Sequence, residues 1–440
     1  MITKVVPGAD QRRSHHRHRH SKFYMFTTFC LIAITCTYMF NTNTFISNIS
    51  FNFSPKSTTP FSPSDLFNNN QTFIINQLKS TSSIQNPVLI VKEIVIQKTK
   101  NDHEHGHVDV TPIKWFKNKL PEFDILKSNQ DFATRANEFL KDCKVRFFMT
   151  WISSTPLSFF GEREFLAVDA LFKTNPDSCL MILSNTMDSD HGFQILKPVI
   201  DLGFRVQAIE PDLDFLFQNT PAKYWFDHIK NGNNDPGEIP LAQNLSNLIR
   251  LVVLYKYGGV YLDTDFIPLK DFSRLRNSIG AQSVNPSGNW TRLNNAVLIF
   301  DKNHPLLYKF IQEFALTFNG NRWGHNGPYL VSRVVERSLE NMKHDANFSV
   351  LPPAAFYPVD WRRISGLFRR PVNQVHRRWV EAKVKALKNS SYGVHLWNKQ
   401  SRRLRIEDES IMARLISHHC VVCIFVNKSQ IFPQNDFLIS

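Results

Sequence analysis

The sequence predicts an α/β body built on a mostly parallel sheet, and three observations carry that prediction. Short apolar runs of strand composition alternate with amphipathic helical stretches from Val145 onward, the pattern of a sheet covered by helices. A long apolar-faced stretch, Leu241 to Tyr257, is stopped by Gly258. Immediately after it, a short apolar strand ends in two carboxylates one residue apart, Asp263-Thr264-Asp265.

In chain order, Val145 to Ile152 is a mostly apolar strand. Glu162 to Phe172 has helical spacing, with Phe165, Val168 and Phe172 along one side. Leu166, Ala170 and Leu171 widen that face, and Asp169 interrupts it. Cys179 to Leu183 and Phe204 to Ile209 are further strands. The helix from Leu241 to Tyr257 carries Leu245, Leu248, Ile249, Leu251, Val252 and Leu254. Phe266 to Leu269 continues as an apolar strand beyond the acids. Ile279 to Ser283 and Ala296 to Phe300 read as strands, Phe310 to Phe318 and Tyr329 to Leu339 as helices. Tyr392-Gly393-Val394 is strand-like, and no internal repeat is visible.

The chain ends have a different character. A basic run from Arg12 to Lys22 precedes an uncharged stretch from Phe23 to Phe40, which is at the lower limit of a membrane span. Positive flanking charge favours the cytoplasmic side, and no small-residue cleavage site stands out. The expected organisation is therefore a cytoplasmic tail over 1–22, a signal anchor over 23–40 and a largely disordered stem over 41–142. A lumenal body over 143–425 and a tail over 426–440 follow. Asn, Ser, Thr and Pro dominate the stem, which holds two short strand-like runs, Val88–Val91 and Ile94–Ile96. His103, His105 and His107 lie there too, and a histidine cluster in a polar stem reads as adventitious.

Asn-X-Ser/Thr sequons beginning at Asn48, Asn52, Asn70, Asn244, Asn289, Asn347, Asn389 and Asn427 agree with a lumenal body, each a candidate acceptor only. Cys143, Cys179, Cys420 and Cys423 can form two disulfides in an oxidising lumen, with three possible pairings. Cys420 and Cys423 lack a second pair to complete a zinc site. The formal charge of +14 does not indicate nucleic acid. Part of it lies in the N-terminal flank, and the C-terminal arginine runs accompany no recognition fold, so most of them read as a solvated basic face, with attraction to an anionic nucleotide or membrane surface as the more specific alternative.

Two acids at the C-terminal end of a strand, where α/β sheets bind ligands, can share one hard cation. Such a cation neutralises the phosphates of a departing nucleotide. Asp188-Ser189-Asp190 has the same acid spacing but lacks the glycine pair, Gly258-Gly259, and the helix that precede Asp263. No nucleophile elbow, Walker loop or dinucleotide glycine fingerprint is present.

Several blocks in fixed order then carry a resemblance. They are Asn244–Arg250 leading into Leu262–Asp265, Asn294–Val297, Trp323–Pro328, Pro352–Pro358 and His395–Asn398. Over roughly 146–423 the chain resembles the alpha-1,4-galactosyltransferase and glycosyltransferase sugar-binding-region family, its plant members above all. The resemblance implies a GT-A-like, Rossmann-type mixed sheet flanked by helices, and a type II Golgi membrane protein with a lumenal body. It also implies a nucleotide-sugar donor, a glycan or glycolipid acceptor, a divalent metal (Mn2+, with Mg2+ as the alternative) and retention at the anomeric carbon.

By this resemblance, Asp265 is expected to bind the cation directly, and Asp263 to share it or to bridge toward the ribose or donor sugar. His395 completes the cation shell or touches the diphosphate. Arg250 pairs with Asp263 or contacts the donor, with Ser246 and Asn247 one turn earlier and Tyr261 also on the donor side. His325, Asn326, Gly327 and Asp360 are expected on the acceptor side. Asn247 departs from the wider family, many of whose members carry Asp there; Asn keeps the size and loses the charge. A hexosyltransferase that moves a hexose, galactose first among them, from a UDP-sugar is the leading expectation. A non-catalytic lumenal glycan-binding or scaffold protein is the alternative, motivated by Asn247, and a metal-dependent glycoside hydrolase the third.

Overall fold

The computed structural model describes residues 131–153, 160–341 and 347–423. All of them fall within one compact unit, Ser83–Ser440; the other unit, Met1–Ser82, lies outside the described residues. So do the expected anchor, nearly all of the stem with its histidine cluster and strand-like runs, and the 426–440 tail. Among the described residues, no helix is long and apolar enough to cross a membrane.

The first described element is α1 (Phe132–Leu140), which buries Phe132, Ala136 and Leu140, so residues at the end of the expected stem pack into the body. The elements β1 (Arg146–Trp151), α2 (Glu162–Thr174), β2 (Cys179–Ser184), α3 (Asp190–Ile200) and β3 (Arg205–Ile209) alternate as expected. Next come α4 (Leu213–Phe217), α5 (Pro221–Lys230), α6 (Leu241–Tyr257), β4 (Gly259–Leu262) and β5 (Phe266–Pro268). The chain continues through β6 (Ser278–Val284), β7 (Trp290–Phe300), α7 (Pro305–Thr317), α8 (Pro328–Asn341), β8 (Ser349–Leu351) and α9 (Pro353–Phe356). It closes with α10 (Gln374–Ser390), β9 (Gly393–His395), α11 (Asn398–Ser401) and α12 (Ile411–His418).

Seven strands form one mixed sheet in the order β3-β2-β1-β4-β7-β6-β8. β1, β2, β3 and β4 run parallel, β7 is antiparallel to both β4 and β6, and β8 is parallel to β6. Alternate residues feed opposite faces, as the strand period of two requires. Phe147 and Met149 of β1 enter one core while Phe148 enters the other; Leu180 and Ile182 of β2 are separated in the same way from Met181 and Leu183. Helices α2, α3, α10 and α12 cover the first face; α1, α4, α5, α6, α7 and α8 cover the second. Each fully buried Leu, Ile or Phe contributes about 1.5–3 kcal/mol.

Helix α6 lies under β4 and delivers the chain to it through two glycines. Gly258 adopts φ 65° and returns its N–H to Leu254 O at 2.8 Å, closing the helix. Gly259 adopts φ 126°, and a Cβ there would lie 2.4 Å from Arg146 O, so β4 pairs with β1 only because this position has no side chain. The cysteines pair as Cys143–Cys179 and Cys420–Cys423. Of the described sequons, Asn289, Asn347 and Asn389 are exposed, whereas Asn244 is buried and cannot present its side chain to a glycosylating enzyme.

A two-stranded ribbon completes the frame. β5 pairs antiparallel with β9, placing Phe266 opposite His395. Leu396 N–H donates to Asp265 O at 2.8 Å. This ribbon brings the late His395–Asn398 segment onto the carboxylates that follow β4.

Candidate functional site

Asp263, Thr264 and Asp265 form the turn between β4 and β5, fixed at its ends by Asp263 N–H to Ala296 O (2.8 Å) and Phe266 N–H to Asp263 O (3.0 Å). The turn lies at the carboxyl ends of the parallel strands β1 and β4, where open α/β sheets bind ligands. His395 Nε2 faces both acids, at 3.3 Å from Asp265 Oδ1 and 3.8 Å from Asp263 Oδ2. Trp397 N lies 3.2 Å from the other ring nitrogen, Nδ1, so Nε2 is the nitrogen that faces the carboxylates.

Each acid is held by the oxygen that does not face the histidine. Asp263 Oδ1 accepts from Tyr261 Oη at 2.9 Å and pairs with Arg250 Nη1 at 2.9 Å. Asp265 Oδ2 accepts from Asn398 N–H at 2.8 Å, at the start of α11. Behind them Arg250 is buried and fully engaged. Its Nε donates to Ser246 O, its Nη1 to Asn295 O and its Nη2 to Ser246 Oγ, and it lies over the Tyr261 ring. Of the two roles open to Arg250 from the sequence, the structure shows the pairing with Asp263. Thr150, at the end of β1, ties the Tyr261 hydroxyl to Ser246. Arg163 of α2 donates to Asn398 Oδ1 at 3.1 Å and Ser401 Oγ at 2.8 Å, anchoring α11.

The electrostatics follow from this packing. Burial works to raise the Asp263 pKa, but the Arg250 charge and the hydrogen bonds from His395 and Tyr261 outweigh it, and the net shift is downward. Burial works to lower the His395 pKa, but the negative charges of Asp265 and Asp263 outweigh it, and the net shift is upward. Burial drives the Tyr261 hydroxyl above its ordinary range, so it remains a donor.

Asp263, Asp265 and His395 can each offer one ligand atom, all within 4.8 Å of one another. Two carboxylates and an imidazole suit a divalent cation such as Mn2+ or Mg2+. The residues therefore fit the metal that the motif implies.

Two clefts meet at these acids. One, of about 410 Å³, is lined by Thr150, Ser153, Pro240, Ser246, Thr264 and Asn398 together with both acids. The other, of about 540 Å³, holds Asn247, Arg250, Arg292, Asn295, His395 and Lys399 and an aromatic wall of Trp323, Tyr329, Trp361 and Trp397.

The expected acceptor residues divide. Gly327 lies against Asn247, whose Oδ1 accepts from Asn295 Nδ2 at 2.9 Å. His325 and Asn326 instead brace their own loop: His325 Nε2 meets Thr317 O, and Asn326 Nδ2 donates to Asn244 Oδ1 and Asn319 O. Asp360 caps a surface turn through Arg362 and Arg363, while its neighbour Trp361 lines the cleft. Tyr261 is buried, and its hydroxyl contacts Thr150 and Asp263. The look-alike Asp188 forms a two-pronged pair with Arg135, and Ser189 caps α3.

Thr150, Arg163 and Lys399 were not singled out by sequence reasoning. Only Thr150 carries a local signal, a hydroxyl at the carboxyl end of a central strand.

The chain is similar in sequence to known proteins on both sides of this site. Residues 161–285 match the family described as glycosyltransferase sugar-binding region containing DXD motif, and residues 299–426 match the alpha 1,4-glycosyltransferase conserved region. Lactosylceramide 4-alpha-galactosyltransferase of Mus musculus is 32% identical over 264 residues, covering 58% of this chain and 68% of that protein. Alpha-1,4-N-acetylglucosaminyltransferase of Homo sapiens is 27% identical over 220 residues, 48% of this chain and 58% of that one. The uncharacterized protein At4g19900 of Arabidopsis thaliana is 30% identical over 337 residues; the match covers 75% of this chain but only 49% of that longer protein. Among solved structures, PaToxG glycosyltransferase aligns with a TM-score of 0.34 at 20% identity, covering 52% of this chain and 80% of that one.

Proposed function

The chain belongs to the alpha-1,4-glycosyltransferase family that includes lactosylceramide 4-alpha-galactosyltransferase, and from that membership and its site we propose that it transfers a hexose from a UDP-sugar to a hydroxyl of a glycan or glycolipid. The observation that carries the proposal is the triangle of Asp263, Asp265 and His395 at the junction of two clefts. The smaller cleft, with its hydroxyls and backbone at the end of β1, receives the nucleotide. The larger, aromatic cleft receives the hexose and the acceptor. A Mn2+ or Mg2+ ion held by the triangle would offset the charge that builds on the leaving diphosphate.

The protein's own residues do the remaining work. Arg250 and Tyr261 hold Asp263 so that one oxygen faces the cleft, and Asn398 does the same for Asp265. The bond between the anomeric carbon and the phosphate oxygen breaks as the bond to the acceptor oxygen forms, and the acceptor proton leaves with the departing phosphate. Retention is proposed because Asp263 and Asp265 are the only carboxylates lining the larger cleft among the described residues, and both are already engaged. Among the described residues, the larger cleft therefore offers no spare carboxylate to act as the base for an inverting attack. Galactose is the proposed donor sugar, by the name of the murine relative, and N-acetylglucosamine is its competitor by the name of the human one.

A type II Golgi location completes the proposal. The basic run before the uncharged 23–40 stretch supports it, as do two disulfides, which suit an oxidising lumen. Asn247 is the observation behind the second reading, a lumenal glycan-binding scaffold, since its side chain is engaged by Asn295 and carries no charge.

Calorimetry with a panel of UDP-sugars, with and without Mn2+, separates the two. The transferase binds UDP-galactose or UDP-N-acetylglucosamine only with the cation. Glycan binding with no nucleotide or metal requirement would favour the scaffold and contradict the transferase.

A further inference from the structure

Between Asp360 and Glu381 the chain carries six arginines and no acidic residue. Two are neutralised within the fold: Arg363 pairs with Asp360 at 2.7 Å, and Arg377 with Glu409 at 3.1 Å. Among the described residues, Arg362, Arg369, Arg370 and Arg378 form no ion pair with a carboxylate.

Three large apolar side chains stand among these arginines. Val372 is 81% exposed, Val375 76% and Trp379 50%. Scattered single exposures need no explanation, but these three form one patch. Val375 and Trp379 are one turn apart on α10. Val372 N–H donates to His376 Nδ1 at 3.2 Å, and the His376 ring packs on Trp379 with centroids 5.6 Å apart. The opposite face of α10 buries Val380, Val384 and Leu387 in the core, so the helix is docked and its first turns project from the body.

We infer that this projection is a membrane contact, in which the unpaired arginines meet an anionic lipid surface and Val372, Val375 and Trp379 enter its interfacial layer. Charge complementarity selects the partner: four unpaired cations with no interspersed acid fit a surface of uniform negative charge. The apolar trio selects lipid among such surfaces, since valines gain from acyl chains and tryptophan favours the interface, while neither gains from a bare polyanion. Trp361, in the same acid-free segment, lines the larger cleft, so docking here would hold that cleft near the bilayer. The inference does not depend on the proposed activity.

The test uses the full chain reconstituted into phosphatidylcholine vesicles, with or without phosphatidylserine, and reads amide hydrogen exchange over 369–380. Any insertion through other segments is common to both vesicles. Exchange is expected to slow severalfold only with phosphatidylserine. Substituting Arg369→Gln, Arg370→Gln and Arg378→Gln should weaken that response by about fivefold per arginine. Replacing Val372→Ser, Val375→Ser and Trp379→Ser should abolish it while circular dichroism and the melting temperature, the controls for folding, stay those of the native chain. Equal exchange in the two vesicles would overturn the inference. So would undiminished protection in the serine variant, which would mark a simple polyanion contact.

Discussion

Asp263 and Asp265 share one turn but sit in different surroundings. Asp263 is fastened by a cation and a phenol, Asp265 by a backbone N–H at the start of α11. Both leave an oxygen toward His395, so a proton on that imidazole competes with a cation for the same space. The His395 pKa is raised, so the proton persists above the ordinary imidazole range. Cation affinity should therefore climb as pH rises through that elevated value, which a Mn2+ titration across pH measures directly. Without metal the sign reverses for stability. The imidazolium–carboxylate pairing contributes fully below the ordinary imidazole pKa and is lost as pH rises through the folded-state value, so thermal stability of the metal-free protein should fall across that window. The acid pair itself was legible in the sequence because its context is local. Arg163 and Thr150 were not, because the groups they hold lie 235 and 111 residues away in sequence.

At the scale of elements, α6 has the bounds that its apolar periodicity and Gly258 suggested, and the strands at Cys179, Phe204 and Ser278 start within a residue of expectation. Helix α10 is not legible in the sequence because only Val380, Val384 and Leu387 are buried, and Arg377 and Arg378 before them read as part of a solvated run. Asp169 shows the same limit. On the helical face of α2 it looked like an interruption, yet its buried carboxylate accepts the N–H groups of Val421 (2.7 Å), Val422 (2.8 Å) and Cys423 (3.1 Å). It ties the Cys420–Cys423 loop to the first helix after β1. Replacing it, Asp169→Ala, strands three half-buried donors and should cost about 3 kcal/mol in urea unfolding. A change within ~0.5 kcal/mol would show that the loop satisfies those donors in another way.

For the whole molecule, the decisive arrangement is a parallel sheet half carrying the acids and a late β-ribbon carrying the histidine. Strand alternation made the first half readable. The second half depended on β5 pairing with β9, a register that no local pattern encodes. Sugar transfer as proposed requires a divalent cation held by that joint. The most direct test compares Mn2+ binding and Mn2+-dependent release of UDP from UDP-galactose in the native protein and in Asp265→Asn, whose fold the substitution should preserve. Native protein is predicted to bind Mn2+ and release UDP, and the variant to lose roughly 100- to 1,000-fold of the turnover with its cation affinity. A folded Asp265→Asn protein that binds Mn2+ and releases UDP as the native protein does would contradict it.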